Sequence, residues 1–151
     1  MLFKNKLILL LVLFMFAMTP HLKASVGLRI GSYTDADELF VGGEFNTRIA
    51  HRTYLNPNLE YVLVDNGTYM TINLDIHYDL LESRATYVWA GGGLALQYFD
   101  WEGDNNSNTE MGINLLAGVG LKTSGRVMPY IQGKIILGDA DDFVLGLGIR
   151  F

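Results

Sequence analysis

His77 lies between Asp75 and Asp79, and on an extended chain all three side chains share one face. A histidine oriented by a carboxylate becomes a general base when a serine stands within hydrogen-bond reach, the arrangement of acyl-transfer enzymes. The serines Ser25, Ser32, Ser83, Ser107 and Ser124 all lie far from His77 along the chain, so only cross-strand geometry could supply a nucleophile. The expectation is therefore a structural histidine facing a barrel interior, with no catalytic residue. Absence of cysteine removes disulfides, thiolate metal sites and a thiol nucleophile. No glycine-rich phosphate loop or metal-type Cys/His spacing occurs, so no cofactor is expected.

Carboxylates also gather at Asp139, Asp141 and Asp142, weak candidates for a divalent cation. The run is too short for an EF-hand loop, and Asp100 to Glu110 does not match that spacing either. The expected state is a solvated acidic rim, with weak Ca²⁺ or Mg²⁺ binding as the alternative. A third set of charges is more unusual: Arg29, Glu44, Glu60, Asp75, Lys134 and Arg150 stand singly on strand faces opposite aliphatic ones.

The elements that carry these charges are strands. Alternation with a period of two predicts eight, over roughly 25–33, 38–49, 59–65, 68–80, 85–99, 109–122, 127–138 and 142–151. In the fourth, Met70, Ile72, Leu74, Ile76, Tyr78 and Leu80 oppose Tyr69, Thr71, Asn73, Asp75, His77 and Asp79. In the fifth, Ala90-Gly91-Gly92-Gly93 blurs the register. Asn56-Pro57-Asn58, Asp65-Asn66-Gly67, Thr123-Ser124-Gly125 and 138–142 read as turns.

Alternation alone does not say which face is buried. A soluble sandwich or lipocalin-like carrier hides the apolar face, whereas a membrane barrel turns it to lipid. Charges of both signs on the polar face could pair across a narrow lumen. Glycines on that face (Gly27, Gly31, Gly112, Gly118, Gly146, Gly148) suit a crowded eight-strand interior. Both observations favour the membrane barrel. Such a barrel must close, because each unpaired backbone group in hydrocarbon costs several kcal/mol. With eight strands the lumen is a packed polar core and not a large pore.

The chain opens with Lys4 and Lys6, an apolar run from Leu7 to Met18, and Thr19 to Ala24. This is the layout of a secretory signal peptide over 1–24, with cleavage expected after Ala24. About twelve residues in a helix span only ~18 Å, too short to cross a bilayer. Removing the leader takes three lysines from 11 basic residues and none from 16 acidic ones. The remaining chain, 25–151, carries twice as many acids as bases, which argues against nucleic acid as a partner.

At the other end Phe143, Leu145, Leu147, Ile149 and Phe151 form one face, with an aromatic at each limit. Together with the leader and the eight strands, this terminal strand resembles the small OmpA/OmpX-type outer-membrane β-barrels. The turn-like 55–59 stretch and Pro129-Tyr130 are similar to that family as well. The resemblance implies an all-β, eight-stranded antiparallel transmembrane up-and-down barrel in the outer membrane of a Gram-negative bacterium. It implies periplasmic termini, loops after strands 1, 3, 5 and 7 outside the cell, and Phe143 to Phe151 as the signal read by the barrel-assembly machinery. Outer-membrane lipid and lipopolysaccharide would surround a monomer. The function expected is non-enzymatic: envelope integrity or surface interaction. A lipid A deacylase or acyltransferase, and a soluble periplasmic lipocalin-like binding protein, are the alternatives. Trp101, taken to lie inside the longest outer loop, is the candidate for surface contact.

Overall fold

A two-residue period over this many segments gives each strand one aliphatic face and one mixed face, and the only arrangement without an open edge is a cylinder. The computed structural model, which describes residues 24–103 and 106–151, has that form. Its strands are β1 (Ala24–Tyr33), β2 (Glu38–Ala50), β3 (Thr53–Val62), β4 (Gly67–Glu82), β5 (Thr86–Trp101), β6 (Asn108–Leu121), β7 (Met128–Gly138) and β8 (Asp142–Arg150). Each pairs antiparallel with the next, and β1 pairs with β8 to close the barrel. The leader expected over 1–24 lies, but for Ala24, outside the described residues.

The faces are inverted relative to a soluble barrel. Leu28, Ile30, Ile72, Leu74, Ile113, Leu147 and their neighbours point outward and are about half exposed. Arg29, Glu60, Asn73, Asp75, Gln97 and Lys134 point inward and are buried. This burial pattern removes the lipocalin-like alternative, whose apolar face would be inside.

One end, the terminal end, carries the start of β1, the end of β8 and the connections after β2, β4 and β6. The opposite, loop end carries the connections after β1, β3, β5 and β7. At the terminal end the β2–β3 hairpin turns at His51 and Arg52, with Arg52 at φ 57°. Non-glycine residues rarely take this left-handed conformation, but a tight hairpin needs it.

Two expectations are corrected. Asn56-Pro57-Asn58 is not a turn but the middle of β3, with Pro57 opposite Leu74 of β4. Proline cannot donate to a ladder, and the β2–β3 pairing lapses between Glu44–Asn58 and Thr47–Leu55. There the Asn56 side chain donates to Phe45 O at 3.2 Å in place of a backbone amide. The third strand therefore spans Thr53–Val62 rather than 59–65. Trp101 is likewise not inside a loop: it ends β5, opposite Gly67.

Candidate functional site

The interior is built in layers from residues two apart on each strand. At the loop end Tyr33, Phe40, Val62, Tyr69, Ile136 and Val144 form an apolar plug. Phe99 stacks on Tyr69 with ring centroids 4.4 Å apart, and Trp101 stacks on Phe99 at 6.5 Å. These odd-numbered β5 residues share inward parity, which resolves the register blurred by Gly91 to Gly93. The half-exposed Trp101 is thus the outermost ring of an aromatic column.

Below the plug lie the six charges singled out from sequence, and the structure places all of them inside the barrel. Glu60 is the first centre. It accepts from Lys134 Nζ at 2.8 and 3.0 Å, from Thr71 Oγ1 at 3.1 Å and from the Tyr33 hydroxyl. Arg29 Nη2 stands 3.0 Å from Glu60 Oε1. Among the described residues its N–H vectors meet no acceptor in hydrogen-bond geometry, so this contact is coulombic. Glu44 is the second centre: it accepts from Arg150 Nε at 2.6 Å and from Asn56 Nδ2 at 3.0 Å, with Arg29 Nη1 at 3.8 Å.

Among the described residues Asp75 pairs with no cation and is held by amides instead. Asn58 Nδ2 donates to it at 2.9 Å and Asn114 Nδ2 at 2.8 Å. Asn73 links Asn58 and Asn114 across the lumen. In this layer Glu44, Glu60 and Asp75 thus face Arg29, Lys134 and Arg150, where an unmatched buried charge would carry a penalty of several kcal/mol.

Missing side chains make the room. An added Cβ on Gly27 would sit 2.6 Å from Glu44 Oε1; on Gly93, 2.3 Å from Asp75 Oδ1; on Gly118, 2.2 Å from the Trp89 ring. Each such glycine lies beside a large inward side chain on a neighbouring strand.

Tyr33, Asn56, Asn58 and Asn114 join this network without having been singled out from sequence. Inward parity was the signal that could have found Tyr33 and Asn114; the asparagines of β3 were hidden by the Pro57 misassignment.

Toward the terminal end the lumen becomes aromatic. Arg150 lies over Tyr130 and Trp89, 4.5 and 5.0 Å from their centroids, and His77 and Tyr87 stack against Trp89. Next to them opens a cavity of about 300 Å³ that Ser25, His77 and Asp79 line together with Asn46 and Tyr87. At its rim Lys122 Nζ donates to Glu82 at 2.6 Å and holds that carboxyl below the usual carboxylate range. The stabilisation from this pair is present at neutral pH and lost as pH falls through the lowered value, and exposure to water keeps it small.

At the loop end the three acidic candidates do not converge. Asp142 Oδ1 accepts from the Asp35 amide at 3.0 Å and Asp141 Oδ1 from the Gly138 amide at 2.7 Å. Among the described residues no group of three or more acidic or histidine side chains is placed to hold a metal ion. Asp139 and Asp141 lie in the connection between β7 and β8, and Asp142 begins β8.

With closure, inverted faces and a charge-matched interior in view, comparison with known structures is direct. The N-terminal β-barrel domain of Pseudomonas aeruginosa OprF superposes with a TM-score of 0.69 at 17% identity, covering 87% of this chain and 98% of that one. This is the OmpA/OmpX-type outer-membrane barrel fold. Neisserial surface protein A shares it at TM-score 0.63 and 15% identity, with 84% and 92% of the chains covered. So does the outer membrane enzyme PagL, at 0.56 and 11%, with 84% and 98% covered. No protein-family model and no curated protein matches the sequence. One OmpA/OmpX-type fold thus carries both a surface protein and an enzyme, and the likeness speaks to architecture alone.

Proposed function

We propose that this chain is an integral outer-membrane barrel with a non-enzymatic role in envelope integrity or surface interaction. The observation that carries this reading is the inversion: an aliphatic belt outside and a plugged, polar and charged interior within. Water would penalise that exterior over its whole circumference, whereas lipid solvates it. The interior leaves space for side chains and no large pore.

Orientation follows from the same reading. The termini and tight turns lie on the periplasmic side, and the acidic loop end faces the cell exterior among lipopolysaccharide headgroups. The outward Phe143, Leu145, Leu147, Ile149 and Phe151 present the strand that the assembly machinery reads. Trp101, at the tip of its aromatic column, is the surface-contact residue. The barrel acts as a monomer.

The test is fractionation followed by electrophoresis. The protein should require detergent for extraction from outer membranes, and unheated and boiled samples should migrate differently in SDS. Release by carbonate or high salt overturns the reading.

An acyl-transfer enzyme is the second reading, favoured by Ser25, His77 and Asp79 lining one cavity. Against it, His77 is inside the lumen, turned away from the belt where an acyl chain would lie. Deacylation of lipid A by the purified protein, abolished in His77→Ala, would make this second reading the correct one.

A further inference from the structure

The cavity at the terminal end has more hydrogen-bonding capacity than its walls use. His77 is 2% exposed, and among the described residues its Nε2 has no partner; Asn46 Oδ1 and the Tyr87 hydroxyl are in the same condition. All three residues line the cavity. Asp79, only 7% exposed, lines it too, and among the described residues its carboxylate accepts no hydrogen bond and joins no ion pair.

The other charges lining the cavity are matched: Arg150 by Glu44, Lys122 by Glu82. Arg52 is not in the wall, and its Nη2 donates to Leu80 O at 2.8 Å. What remains is one unmatched carboxylate among acceptors, beside the side chains of Tyr54, Tyr87 and Met128.

We infer that this cavity is a binding site for a small organic cation, a primary ammonium on a short aliphatic or aromatic chain. Three of the four groups then acquire a partner. An ammonium has three donors and no acceptor, which suits Asp79, Asn46 Oδ1 and, in the tautomer protonated on Nδ1, Nε2 of His77. The chain of the ligand lies against Tyr87 and Met128, and the aromatic surroundings favour a cation over a neutral solute. A volume of about 300 Å³ is at the small end for ligand sites and limits the occupant to a compact molecule. An anion is disfavoured by Asp79 and by the pairing that already occupies Arg150 and Lys122. The inference rests on the fold alone and not on the proposed envelope role, so a failure of membrane fractionation leaves it standing.

The experiment uses the folded chain in non-ionic maltoside micelles. Benzylammonium is titrated while NMR follows the ring nitrogens of His77 and the side-chain amide of Asn46; benzyl alcohol serves as the neutral match. Saturable shifts are expected with the cation, with affinity at least about tenfold weaker for the alcohol. Asp79→Asn should weaken the cation by a similar factor, leave the alcohol unchanged and keep the heat-dependent gel mobility of the folded barrel. If Asp79→Asn does not fold, Asp79→Ser and Asn46→Leu probe the same acceptors. Equal affinities for cation and alcohol, full-strength cation binding in folded acceptor variants, or no saturable shift at millimolar cation would overturn the proposal.

Discussion

Arg150 Nε donates to Glu44 Oε1 over 2.6 Å, and the pair crosses directly above Gly27, which is the register partner of both residues. The last strand is thereby tied to the second across the first, over the seam where the barrel closes. Only a residue without a side chain leaves that path open.

Gly27→Val should therefore weaken closure. The new Cβ would fall 2.6 Å from Glu44 Oε1 and 2.9 Å from Ile149 O, and a backbone carbonyl has little room to retreat. Overpacking of this kind costs about 1–3 kcal/mol. Urea unfolding in lipid vesicles should show a lower midpoint for Gly27→Val and a smaller change for Gly43→Val, whose Cβ meets only one atom, at 3.9 Å.

Removing a centre of the ion network should be costlier than removing a whole pair. Glu60→Gln leaves Lys134 and Arg29 facing a neutral group in a dry interior, a loss of about 3–5 kcal/mol. Glu60→Gln combined with Lys134→Met should recover part of that loss. A double-mutant cycle on the unfolding free energies measures the coupling, and additive losses would contradict the pairing described here.

Phe151 and Val144 occupy opposite faces of the closing region. Phe151 is exposed outward while its backbone amide donates to Val26 O at 2.9 Å; Val144 belongs to the buried plug. Phe151→Asp should sharply reduce the amount of inserted barrel in cells. Val144→Ala should insert normally and lose only about 1–2.5 kcal/mol of stability, from lost methyl groups and the cavity they leave. Equal outer-membrane levels of Phe151→Asp and wild-type protein would remove the terminal aromatic from the assembly signal.

The acidic loops should respond one residue at a time. Asp142→Ala frees the Asp35 amide, so hydrogen exchange at Asp35 should accelerate, whereas Asp139→Ala should leave it unchanged. A calcium-dependent rise in melting temperature that vanished in both variants would instead restore the cation site.

What the sequence specifies by itself depends on the range of the forces involved. Alternation is local, since successive side chains leave a strand on opposite sides, and it sorted β4 into two faces; the mixed charges and glycines on the polar faces then put six charges in the lumen. Closure also followed, because hydrocarbon tolerates no unpaired edge. Pro57 was misplaced because its usual meaning as a turn residue is a local preference. In the fold the ladder lapses beside it, and an asparagine side chain supplies the missing donor. Trp101 was put in a loop because the length of β5 is set by pairing with β4, not by its own residues. Tertiary structure alone chose the partners: Glu60 with Lys134 and Glu44 with Arg150 are joined across 74 and 106 residues of sequence. Asp75 takes amides, and Asp79 is left facing a cavity. Strand register and barrel curvature decide which side chains meet, and both arise from the whole closed sheet rather than from any one segment.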